Sequence, residues 1–124
     1  MKVLIVDDSA VMRKIITREL ATLNITPENI VEASDGAESV KISTSDTFDV
    51  ILMDWNMPNM LGIDAVKAIR AAGVKSPILM ITTESERSNV IAAIQAGANN
   101  YLAKPFTNED FVAKFQQVVG VQAG

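Results

Sequence analysis

Residues 48–59 read FDVILMDWNMPN. Val50 to Met53 form an unbroken apolar run of four, and such a run fits a strand covered on both faces, as parallel strands are. Asp54 closes the run and is followed by Trp55, Asn56, Met57 and Pro58. A carboxylate at the end of a buried run is costly unless something pairs with it. On its own Asp54 also suits the start of a turn into Asn56-Met57-Pro58.

Similar short runs recur along the chain: Val3 to Val6, Ile30 to Ala33, Ile78 to Ile81 and, more weakly, Tyr101 to Ala103. The segments between them carry helical spacing. Val11, Met12, Ile15, Ile16, Leu20 and Leu23 share one face of the first; Phe111, Phe115 and Val118 share one face of the last, with Val112 and Val119 beside them. Ser85 is placed to cap a helix that ends before Gly97, and Gly73 to end one that starts near Ile63. Thr107 with Asp110 fits a capping box opening the last helix. Pro77 precedes its strand, where no ladder hydrogen bond is needed. Five strand–helix repeats predict one α/β domain over residues 1–124: a doubly wound, five-stranded parallel sheet with helices on both faces.

Composition bounds the chemistry. The chain has 124 residues, 48% hydrophobic and 21% charged, enough to bury a core without a staple. It contains no cysteine and no histidine, which removes disulfides, thiolate nucleophiles, His-based general bases and Cys- or His-ligated zinc. The net charge is −4, with Lys and Arg scattered, so no nucleic-acid face is expected. Met1 and Lys2 lead straight into a strand-like run too short for a signal peptide, and no apolar run would span a bilayer. A cytoplasmic location is expected.

The runs end in polar residues: Asp7-Asp8, Asp54, Thr82-Thr83 and Lys104-Pro105. In a parallel sheet these ends share one edge, and ligands bind there where the winding direction reverses. Run two ends in Glu32-Ala33-Ser34 and contributes less obviously, which suits an outer strand. Each residue has an ordinary reading by itself. Asp7-Asp8 fits a helix cap, Thr82 a strand residue, Lys104 a solvated lysine, and Trp55 and Tyr101 packing residues. The coincidence at the strand ends points instead to one pocket. Three carboxylates there repel one another and raise some of their pKa values. A divalent cation on hard oxygen ligands relieves this, Mg²⁺ first and Mn²⁺ as a substitute, and so does the Lys104 ammonium. Such a carboxylate, beside a cation, an ammonium and a hydroxyl, is placed to attack phosphorus and form an acyl phosphate.

The stretches LIVDDS, VILMDWNMPNMLG, ILMITTE and NNYLAKPFT, in that order and across nearly the whole chain, resemble the receiver domain of two-component response regulators. The resemblance is nearest to stand-alone chemotaxis regulators of the CheY type. It implies a flavodoxin-like sheet of strand order 2-1-3-4-5. It implies Asp54 as phosphoacceptor, with Asp7, Asp8, Asp54 and the backbone carbonyl of Asn56 holding Mg²⁺. Lys104 would contact the phosphoryl group, joined to Pro105 by a cis peptide. Thr82 would hydrogen-bond the phosphoryl oxygen, and Tyr101 would turn inward as space opens. Thr83 and Glu84 would flank this switch on the output side. A histidine kinase would be the phosphodonor, with a flagellar motor switch protein as target, a phosphatase, and a monomeric chain without nucleic-acid or membrane partners.

The chain departs from its relatives at three places. Leu61 stands where many carry Asp or Asn before the glycine, Thr83 where Ala or Ser is common, and Glu86 where the chemotaxis type carries lysine. Asn56 and Glu84 match that type. Because the chain ends soon after its last amphipathic helix, output is expected from surface contacts around the fourth helix, fifth strand and fifth helix. A phosphorelay intermediate or phosphate sink is the alternative. An Asp-based phosphohydrolase is more remote, since it needs a second Asp where Asn56 stands. No glycine-rich nucleotide loop is present.

Overall fold

The computed structural model describes residues 1–83 and 87–123. Five strands alternate with five α-helices: β1 Val3–Val6, α1 Ala10–Ala21, β2 Ile30–Ala33, α2 Gly36–Ser45, β3 Val50–Met53, α3 Gly62–Ala71, β4 Ile78–Thr82, α4 Arg87–Ala96, β5 Asn100–Ala103 and α5 Asn108–Ala123. A 3-10 turn, Pro27–Asn29, precedes β2. All strand pairs are parallel, in the order β2-β1-β3-β4-β5.

Alternation along each buried strand sorts its side chains into two cores. Leu4, Val6, Ile51, Met53, Ile78 and Met80 face one side and pack with Ala65, Val66 and Ile69 of α3 and Ala93 of α4. Val3, Ile5, Val50, Leu52, Leu79 and Ile81 face the other, with Ile16 and Leu20 of α1 and Phe111, Phe115 and Val118 of α5. Continuous apolar runs are therefore what a doubly covered sheet requires. β2 is an outer strand, as β5 is at the opposite edge, and its Glu32 is exposed.

The helix boundaries have local causes. The Thr107 hydroxyl accepts from the Asp110 N–H at 3.1 Å, half of the expected capping box. Ser9 caps α1 and Asp35 caps α2 in the same way. Gly73, at φ +87°, follows α3 in the left-handed conformation that its position demands. The expected Ser85 cap lies outside the described residues. One helical expectation is corrected: Val11 is 69% exposed and does not join the buried face of α1. It sits in the first turn beside exposed Ser9 and Ala10; Met12 already packs against the core at its edge, and the helix is fully buried only at Ile16 and Leu20. Leu23 is half-buried in the turn beyond the end of α1. The fourth strand runs one residue further than its apolar pattern, so Thr82 belongs to β4.

Candidate functional site

The sheet reverses its winding between β1 and β3, which are direct neighbours. Val6 pairs with Met53, so the next residues, Asp7 and Asp54, leave the sheet side by side. Their backbones are still held by the ladder: the Asp7 N–H donates to the Ala33 carbonyl at 3.1 Å and the Asp54 N–H to the Val6 carbonyl at 2.9 Å. On the other side, the Lys104 N–H donates to the Thr82 carbonyl at 2.9 Å. Residues some fifty and one hundred positions apart in the chain thus meet at one crevice through strand order alone.

Asp7, Asp8 and Asp54 offer carboxylate oxygens that all lie within 4.8 Å of one another. Asp7 and Asp54 are buried, at 1% and 7% exposure, while Asp8 is open to solvent. Lys104 Nζ stands 2.8 Å from Asp7 Oδ2 and 3.5 Å from Asp54 Oδ1, so it pairs more closely with Asp7. The Trp55 N–H donates to Asp54 Oδ1 at 2.8 Å, and the Ser9 N–H to Asp7 Oδ1 at 2.9 Å. The buried Thr82 hydroxyl also hydrogen-bonds the Asp54 carboxylate. Burial, and then the Asp7 charge, push the Asp54 carboxyl above its usual range; Lys104, the Trp55 N–H and Thr82 oppose that rise without cancelling it. The expected repulsion among the carboxylates is thus visible at Asp54.

The donor set suits a hard divalent cation. All three side chains present oxygen, two of them from a desolvated floor, and the exposed Asp8 leaves a side on which water can complete the shell. Asn56 is exposed in the loop after β3. That loop is closed where the Gly62 N–H meets the Trp55 carbonyl at 2.8 Å. A Cβ on Gly62 would fall 1.9 Å from the Asp54 carbonyl oxygen, so only glycine lets α3 begin there.

The remaining expected residues occupy distinct places. The Lys104–Pro105 bond is cis. Tyr101 is buried at 9% exposure against the core shared with α3 and α4, and Thr83 is exposed. Leu61 precedes α3 with no side-chain cap and is 42% exposed. Glu84 and Glu86 lie outside the described residues. Residue types alone did not point to Arg13, which grips the site from α1: its guanidinium donates to the Asp7 carbonyl and to Glu32 Oε1, the latter at 2.8 Å. Its only trace in the sequence is a basic residue one turn into the helix that follows Asp7-Asp8.

The response regulator receiver domain model matches residues 3–116. The chain is 44% identical to the chemotaxis protein CheY1 of Helicobacter pylori, covering 97% of this chain and 98% of that one. It is 44% identical to the chemotaxis protein CheY of Pseudomonas aeruginosa, over 95% of each. Among solved structures it is similar to the receiver domain of the sensor histidine kinase PA1611 from Pseudomonas aeruginosa, a structure with a magnesium ion coordinated in the active-site cleft. That likeness has a TM-score of 0.84, 30% identity, and covers 96% of this chain and 97% of that one. The strand order, the acidic crevice at the β1–β3 reversal and these likenesses have one explanation: the chain belongs to the response regulator receiver domain family.

Proposed function

We propose that the protein is a phosphorylation-driven signalling switch in bacterial chemotaxis, with Asp54 as its phosphoacceptor. The observation that carries the reading is the convergence of three carboxylates and Lys104 on one crevice, with Asp54 held at its floor. An Asp54 oxygen attacks the phosphorus of a phosphohistidine on a histidine kinase; the P–N bond breaks and the imidazole leaves with its electron pair. Mg²⁺, or Mn²⁺ in its place, would be held by Asp7, Asp8, Asp54 and the Asn56 carbonyl and would neutralise charge on the phosphoryl oxygens. The magnesium-bearing cleft of the PA1611 receiver supports this assignment.

Lys104 turns its ammonium toward the phosphoryl group, and the Thr82 hydroxyl exchanges the Asp54 carboxylate for a phosphoryl oxygen. Movement at Thr82 lets Tyr101 turn inward and changes the surface of α4, β5 and α5, with Thr83 and Glu84 as output positions of the switch, a local charge event biasing two packings. The named relatives support a chemotaxis output. A flagellar motor switch protein as target, a separate phosphatase and a cytoplasmic, monomeric chain complete the proposal. The protein acts as a switch and not as a turnover enzyme.

Incubation with Mg²⁺ and a small phosphodonor such as acetyl phosphate is expected to add one base-labile phosphate, absent in Asp54→Asn. Labelling that survives the substitution overturns the site. No gain in affinity for a motor switch protein on phosphorylation overturns the chemotaxis output alone.

A further inference from the structure

The carboxyl end of β2 holds none of the expected site residues, yet both loops of the crevice lean on it. Glu32 fixes the Arg13 guanidinium that also binds the Asp7 carbonyl. Three residues on, Asp35 joins two elements with its two oxygens. Oδ1 accepts from the Glu38 N–H at 2.7 Å and so caps α2. Oδ2 accepts from the side-chain amide of Asn59 at 2.8 Å.

Asn59 lies in the loop between β3 and α3, three residues after Asn56, at φ +68°. That left-handed conformation is one few non-glycine residues adopt, and it persists when its surroundings hold it. The surroundings here are close. A Cβ added at Gly36 would lie 2.4 Å from the Met60 carbonyl oxygen, so the start of α2 is pressed directly against the loop. Inside the loop the Met60 N–H donates to the Pro58 carbonyl at 2.7 Å, and the Gly62 N–H closes it on Trp55. Asn56 is therefore carried between two fixed points, the Trp55–Gly62 closure and the Asp35–Asn59 link. The Asp35 carboxyl is held below its usual range by the Glu38 N–H and then by the Asn59 amide, so at neutral pH it is ionised and accepts only.

We propose that Asp35 is a positioning residue for the divalent cation, holding the 55–61 loop through Asn59 so that the Asn56 carbonyl faces the three carboxylates. This rests on the cation assignment above and extends it to residues that touch no ligand of the site. Mg²⁺ demands nearly octahedral geometry, and a backbone carbonyl can meet that demand only if its loop does not drift. Groups that orient metal ligands typically account for about 10- to 100-fold in affinity.

The test is a Mg²⁺ titration of the full chain at constant ionic strength, followed by backbone amide chemical shifts, for the wild type and four variants. Asp35→Ser keeps a good cap for α2 but is too short to reach Asn59. Asn59→Gly removes the amide while relieving the left-handed backbone. Each is expected to weaken Mg²⁺ on the order of tenfold with the fold retained in the same spectra. Asp35→Asn removes the charge but keeps an oxygen for the cap and an amide that can bond a flipped Asn59, so its affinity is expected within about twofold of wild type. Unchanged affinity in Asn59→Gly overturns the proposal. So does a loss in Asp35→Asn as large as in Asp35→Ser, because charge alone would then be the cause. If the wild type takes up no Mg²⁺, or Asp8→Asn binds it undiminished, the cation assignment itself fails and the proposal with it.

Discussion

Asp54→Asn is expected to stabilise the metal-free protein. The substitution preserves side-chain shape, and the amide oxygen can go on accepting from the Trp55 N–H. It removes one charge from three whose oxygens lie within 4.8 Å of one another. Two unit charges at that separation repel by about 3.5 kcal/mol at an effective dielectric constant of about 20. Lys104 Nζ, 3.5 Å from Asp54, opposes this with an attraction of about 4.7 kcal/mol on the same scale. Two repulsions outweigh one attraction by about 2 kcal/mol. Screening of the exposed Asp8 lowers that balance, and relief from burying the Asp54 charge raises it, so a gain of about 1–3 kcal/mol is expected. Lys104 is not stranded by the change, because Asp7 remains 2.8 Å away.

Urea denaturation in EDTA at pH 7 measures the gain as a higher midpoint at unchanged slope. Saturating Mg²⁺ should close the gap, since the wild type gains about 2.7 kcal/mol at one hundred times its dissociation constant and the variant has lost a ligand. The pH dependence has a definite sign. The Asp54 carboxyl, raised by burial and then by Asp7, keeps its proton in the folded state after the unfolded chain has lost it. The folded state therefore holds more protons in that window, and wild-type stability falls as pH rises from about the ordinary carboxylate value of 3.8 through the raised one. The variant lacks this fall, so the two proteins should converge toward acid and diverge above the window. An Asp54→Asn midpoint equal to or below wild type in EDTA at pH 7 would refute the reasoning.

Lys104→Met keeps an apolar stem but leaves Asp7, at 1% exposure, without its ammonium; a loss of about 2–4 kcal/mol is expected in EDTA, partly recovered by Mg²⁺, by the same denaturation assay. A loss identical with and without the cation would contradict that account. Arg70→Lys is expected to lose about 2 kcal/mol, because a planar fork now ties the ends of α3 and α4 to β5. Arg70 Nε and Nη2 bond the Gly97 carbonyl, Nη1 bonds Val74 and Nη2 also bonds Asn99, all at 2.9–3.1 Å, and one ammonium cannot span them. Faster amide hydrogen exchange at Ala98 and Asn99 checks it, and unchanged exchange there counts against it.

The strand ends illustrate what could be read without coordinates. Asp7, Asp54, Thr82 and Lys104 each close a short apolar run, and a parallel sheet sends all such ends to one edge whatever their spacing in the chain. Val11 shows the limit of the same patterning. Helical periodicity says which residues share a face, but not where along its length the helix meets the sheet, and Val11 in the first turn of α1 meets solvent. Asp35 and Asn59 show a second limit. Both look like ordinary turn and cap residues, and each does act locally, yet the bond between them joins positions 24 residues apart.

The amino-acid sequence by itself determined the fold class, the covering of the sheet on both faces and the meeting of Asp7, Asp54, Thr82 and Lys104 at one edge. These follow from local rules: alternation within strands, helical spacing, caps, and polar residues at the ends of apolar runs. Only the tertiary structure decided how the members are paired and held. That Lys104 sits nearer Asp7 than Asp54, that Arg13, itself held by Glu32, grips the Asp7 carbonyl, and that the start of α2 leans on the loop of Asn56 are matters of angstroms between separate elements. Such distances depend on how helices and loops pack across the sheet, and no local pattern of residue types encodes them.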